Sequence, residues 1–97
     1  MNTYLVVIGR ISTGYSAHCP DVVGCAAVGK SVEKVLANMK TAIEMHFEGM
    51  VEDGEVIPKP GGVASYREVM KDLDVNQYLI GHVQIDTPRI AAPVSQR

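Results

Sequence analysis

The spacing of apolar residues changes along this chain, and the changes mark its elements. Residues 4–8, Tyr-Leu-Val-Val-Ile, form a nearly continuous β-branched run, which predicts a strand buried on both faces. Ser12-Thr13-Gly14 is a turn cluster, and residues 15–19 predict a second strand. The two should pair as a hairpin, with Gly14 supplying a positive φ. Pro20-Asp21 stops the second strand, and residues 25–28 predict a short third one. The period then changes from two to 3.6. Between residues 31 and 53 apolar residues recur at 32, 35, 36, 39, 42, 43, 47 and 50. At about 100° per residue they fill an arc of roughly 140°, so one helix face is built to pack. Ser31 suits the N-cap, Glu33 the first turn and Gly54 a left-handed C-terminus.

Pro58 and Pro60 prevent that helix from resuming. Residues 65–73 predict a short second helix capped by Ser65, with Tyr66, Val69, Met70 and Leu73 on one face. Residues 78–85 predict a fourth strand. The order βββα(α)β implies an α+β fold of two layers. A mostly antiparallel sheet is covered on one face by one long helix. A helical crossover between the third and fourth strands predicts that these two run parallel. Residues 1–88 are expected to form a single domain and 89–97 an irregular tail. The second sheet face and the sheet edges are left open, which predicts self-association.

Composition narrows the function. With 97 residues, 46% of them hydrophobic, the chain suits one domain with an ordinary core. The apolar run at 5–8 is far short of the ~20 residues that span a bilayer. No basic stretch followed by an apolar one opens the chain, so a cytoplasmic protein with no membrane role is expected. A net charge of −2 offers no basic field for phosphates and predicts no sequence-specific DNA binding. Cys19 and Cys25 lie too far apart for a zinc knuckle and read as reduced thiols.

Residues 24–31, Gly-Cys-Ala-Ala-Val-Gly-Lys-Ser, satisfy the P-loop pattern GxxxxGK[ST]. The context is wrong for one. A phosphate loop follows its strand, whereas here the strand-like residues lie between the two glycines. The segment reads instead as strand, turn and helix cap. No two of His18, His46 and His82 stand within four residues of each other, so no helical metal pair exists. His46 falls within the apolar arc and reads as a core or interface histidine. Catalytic residues, cofactors and metals are all expected to be absent.

Glu44, Glu48 and Glu52 recur every four residues on the long helix, and Asp53 and Glu55 extend the run. Like charges at this spacing repel by a few tenths of a kcal/mol per pair, and the helix dipole disfavours them at this end. The stripe is either a solvated face or a docking strip for a basic partner.

Several pieces together resemble the HicB-like antitoxin family. They are the opening strand, Gly14-Tyr15-Ser16-Ala17, Pro20-Asp21, Gly24-Cys25 and the helix with Ala42-Ile43-Glu44. Glu48-Gly49-Met50 and residues 52–58, Glu-Asp-Gly-Glu-Val-Ile-Pro, complete the match over residues 4–60. Cys19, Val23 and Lys30 depart from the family's usual residues, and Lys30 is what creates the P-loop match. The resemblance implies a truncated ribonuclease-H-like fold without nuclease activity. It also implies a HicA-like toxin as partner, an RNA-cleaving protein whose active surface the antitoxin covers. The resemblance further implies a homo-oligomer, a dimer or tetramer. Many members add a C-terminal DNA-binding domain, which the residues after Pro60 do not resemble. Two other readings are a degenerate ribonuclease-H-like or nucleotide-binding enzyme, and a purely homo-oligomeric scaffold. Ribonuclease-H chemistry needs converging acids, one on the first strand, and residues 4–9 contain none.

Overall fold

The computed structural model describes residues 2–86. They form β1 (Asn2–Ile11), β2 (Gly14–His18), β3 (Ala26–Gly29), α1 (Val32–Glu52), α2 (Gly62–Asp72) and β4 (Tyr78–Ile85). The fold class is α+β, as the periodicity predicts. The expected boundary between residues 88 and 89 lies outside the described residues.

β1 and β2 form the expected hairpin, and Gly14 adopts φ +143°. α1 begins at Ser31, whose hydroxyl accepts the Lys34 N–H at 3.0 Å. It ends in two crossed bonds, Glu55 N–H to Met50 O and Gly54 N–H to Val51 O, with Gly54 at φ +76°. This is the Schellman arrangement, which satisfies carbonyls that the last turn would leave open.

The eight apolar positions of that arc face the sheet, while Met45, outside it, is exposed. Val35, Met39, Ile43 and Phe47 are fully buried, and Val32, Leu36, Ala42 and Met50 pack around them. Against them stand Tyr4, Val6 and Ile8 of β1, Ala17 of β2, and Val83 and Ile85 of β4. The Tyr4 and Phe47 rings meet edge to face at 5.5 Å. The Tyr4 hydroxyl donates to the Pro58 carbonyl at 2.6 Å and ties the connector after α1 to the core.

Three expectations need correction. First, β4 does not run parallel to β3. The sheet order is β3-β2-β1-β4, and every neighbouring pair is antiparallel. The reason is that two helices, not one, separate β3 from β4. α1 carries the chain from the hairpin-turn end of the sheet to the Tyr4 end. α2 carries it back across the opposite face, beside Leu5 and Val7. β4 therefore starts where β3 ended and descends along the free side of β1. Both faces of β1 are covered, which explains why residues 4–9 are all buried. The second sheet face is thus roofed over β1, while Val28 on the same face of β3 stays exposed.

Second, Ser65 is not the α2 cap. α2 starts at Gly61–Gly62, with no side-chain cap. Third, His46 is exposed, which removes the core half of its expected core-or-interface place. The buried row 35, 39, 43, 47 advances about 40° at each step, so the packed stripe winds around α1. By residue 46 the stripe has turned away from the face on which His46 lies.

Candidate functional site

Among the described residues no three His, Cys, Asp or Glu side chains lie close enough to hold a metal ion. Each part of the P-loop match has a structural task instead. Gly24 makes a turn at φ +84°, and residues 26–29 are strand. A Cβ on Gly29 would lie 2.6 Å from Val35 N, so this glycine lets α1 approach β3. Ser31 is the helix cap and Lys30 is exposed. His18 and His82 are exposed on the α2 side of the sheet, apart from His46 on α1.

Cys19 and Cys25 are free and buried in the core. Burial pushes the Cys19 thiol up to about 11 and raises Cys25 in the same direction. Neither thiol has the ionised character that nucleophilic chemistry requires at neutral pH.

What remains is surface. Glu48, Glu52, Asp53 and Glu55 are exposed, and Glu44 is half-buried beside them. The row 44, 48, 52 follows the buried row one residue later, so it winds with it and stays about 100° round the helix. Among the described residues the ion pair within 4.0 Å joins Lys71 to Glu68, away from this stripe. No basic residue occupies the last turn of α1. Among the described residues, the five carboxylates thus gather toward the negative end of the helix dipole without a compensating cation in contact.

A different group was not singled out from the sequence. The Asp21 carboxylate accepts the Gly61 N–H at 2.9 Å and the Ser65 hydroxyl at 2.5 Å. It clamps the start of α2 across 40 and 44 residues of chain. A cavity of about 350 Å³ lies beside this clamp, between α2 and the sheet, lined by Leu5, Val63, Tyr66 and His82 among others. The contact is light, for α2 has no buried residue.

Residues 4–96 match the HicB-like antitoxin of bacterial toxin-antitoxin systems. The chain belongs to the HicB-like antitoxin family. A 14.9 kDa protein from the rep-hol intergenic region of Haemophilus phage HP1 is 31% identical over 83 residues. That match covers 86% of this chain and 60% of the phage protein, so the chain spans less than two thirds of that relative. The fold is that of Burkholderia pseudomallei antitoxin HicB, with a TM-score of 0.76 at 20% identity. This covers 92% of this chain and 67% of that one. A chain of a HicA3–HicB3 toxin-antitoxin complex matches with a TM-score of 0.68 at 23% identity. There the match covers 87% of this chain and 98% of the other. The HicB-like resemblance seen over residues 4–60 therefore extends nearly to the end of the chain.

Proposed function

We propose that this HicB-like chain is the antitoxin of a toxin-antitoxin pair. It binds a HicA-type, RNA-cleaving toxin and covers its active surface, acting by occlusion rather than by catalysis of its own. It works in the cytoplasm, where such a toxin meets RNA. No helix among the described residues is long and apolar enough to cross a membrane, which fits that place. The observation that carries the reading is the family match over residues 4–96.

The toxin's chemistry suggests where it docks. A protein that grips RNA presents basic residues to phosphates. The stripe of Glu44, Glu48, Glu52, Asp53 and Glu55 offers that surface a row of carboxylates with no ion pair among the described residues. Charges of this kind act mainly on encounter rate.

Toxin-catalysed RNA cleavage, measured with and without this chain, tests the function. The chain should abolish cleavage at stoichiometric amounts. Unchanged cleavage, together with no complex on gel filtration, would refute the antitoxin reading. Changing Glu44, Glu48 and Glu52 together to Gln tests the docking strip. The triple variant should associate about tenfold more slowly at low salt, and the difference should shrink as salt rises. An unchanged association rate at low salt would make the stripe a solvated face only.

A further inference from the structure

α2 roofs β1 without filling the space beneath it. None of its residues is buried, and a cavity of about 330 Å³ opens under its C-terminal half. Protein interiors pack to a density of about 0.74, so a gap of this size beside apolar side chains leaves contacts unmade. It shares no lining residue with the cavity beside the Asp21 clamp.

The walls carry three kinds of chemistry. Val7 of β1 with Val69 and Leu73 of α2 makes the lining apolar between sheet and helix. Tyr78 adds an aromatic ring, and it lies across Gly9, its partner on β1. A Cβ on Gly9 would stand 2.8 Å from Tyr78 Cε1, so the missing side chain lets the ring rest against the sheet. The remaining lining is polar. It comprises His18 of β2 and two carboxylates, Glu68 and Asp72, one turn apart on α2. Glu68 pairs with Lys71 at 3.6 Å, but both side chains are largely exposed, and a solvated pair of this kind exchanges at little cost.

This combination suits an organic cation. The carboxylates attract positive charge, the tyrosine ring adds a cation–π attraction, and the apolar lining takes up a methylene stem. A bare metal ion is a poorer match, because among the described residues no three His, Cys, Asp or Glu side chains could hold one. An anion would meet two carboxylates. We propose that the cavity binds a small aliphatic amine, its ammonium group at Glu68 and Asp72 and its stem against Val7, Val69 and Leu73. Such a ligand touches both the sheet and α2. It ties down the C-terminal half of α2, as Asp21 ties down the N-terminal half. The site lies on the sheet face opposite α1, so it does not depend on the antitoxin reading.

Pentane-1,5-diamine is the probe, titrated into the full chain at constant ionic strength and followed by NMR. The methyl signals of Val7, Val69 and Leu73 should shift together and saturate. Half-saturation is expected at about 0.1–1 mM, the range for a ligand of about seven non-hydrogen atoms. Amide exchange in residues 69–72 should slow several-fold at saturation. Glu68→Gln combined with Asp72→Asn should weaken binding about tenfold or more. If circular dichroism shows that this pair of changes disturbs the fold, Asp72→Asn alone decides, with a loss of about threefold or more. It removes a negative charge that opposes the helix dipole, so it spares α2. Changing Glu44, Glu48 and Glu52 to Gln should leave binding unchanged, which separates the cavity from general attraction to acid. Pentan-1-ol, the stem without the charge, should not saturate by about 10 mM. The proposal fails if the diamine does not saturate by that concentration or if its shifts map to the α1 stripe. It also fails if pentan-1-ol binds as tightly, or if binding survives the loss of the α2 carboxylates.

Discussion

Gly29 shows how one atom can govern the packing of a helix on a sheet. A Cβ there would press on Val35 N at 2.6 Å and Val35 Cα at 2.8 Å, both backbone atoms that cannot swing aside. Gly29→Ala should therefore cost about 2 kcal/mol or more and lower the thermal midpoint by several degrees. Gly49 is the contrast, since an added Cβ meets nothing within 4 Å and the residue lies inside α1. Gly49→Ala should stabilise by about 1 kcal/mol, through helix propensity alone. Equal effects of the two substitutions on thermal unfolding would contradict this account. The buried acids of the core make a second prediction. Burial raises Cys19 to about 11 and also raises Cys25 and the Tyr4 hydroxyl. The unfolded chain ionises these groups at lower pH, while the fold keeps them neutral. Stability is thus fully present at neutral pH and drains away as the pH climbs through about 9 toward 11. A thermal midpoint that stays flat over that interval would show that the groups ionise freely in the folded state.

The two helices differ in how they are held. α1 carries four buried side chains and has both ends capped, so its place is set by apolar burial. α2 has no buried residue and depends on the Asp21 clamp to Gly61 and Ser65. Asp21→Ala should release α2 while leaving the rest of the domain folded. Amide exchange in Gly62–Asp72 should accelerate at least tenfold, and trypsin should cut after Arg67 and Lys71 sooner. The exchange of α1 amides should barely change. Equal acceleration in both helices would mean that the clamp supports the whole domain. The clamp was not legible in the sequence, because its members stand 40 and 44 residues apart and Ser65 resembles an ordinary helix cap. The α1 caps were legible because they act within three to five residues.

For the whole molecule, charge decides what it can approach. The net charge is −2, and the carboxylates gather at the C-terminal end of α1. The exposed helix α2 carries Arg67 and Lys71 beside Glu68 and Asp72, so its charges cancel and it offers no basic face to a DNA groove. A gel shift with the gene's own promoter, at about 100 mM salt, should show no complex tighter than micromolar. A specific nanomolar complex would overturn that expectation.

The sequence by itself determined the elements and the faces they bury. The alternation of β2, the unbroken apolar run of β1 and the 3.6-residue period of α1 are local signals. Each follows from where successive Cβ atoms point. It also carried the acidic stripe, since spacing of four along a helix is enough to align side chains. Only the tertiary structure decided where β4 lies, which face α2 roofs, what Asp21 holds and why His46 is exposed. Those outcomes depend on summed contacts between segments far apart in the chain. β1 offers two apolar faces and two free sides, and no local pattern says which later segment will fill each. The side filled by β4, rather than by a partner to β3, left an uncharged strand at the rim of the sheet.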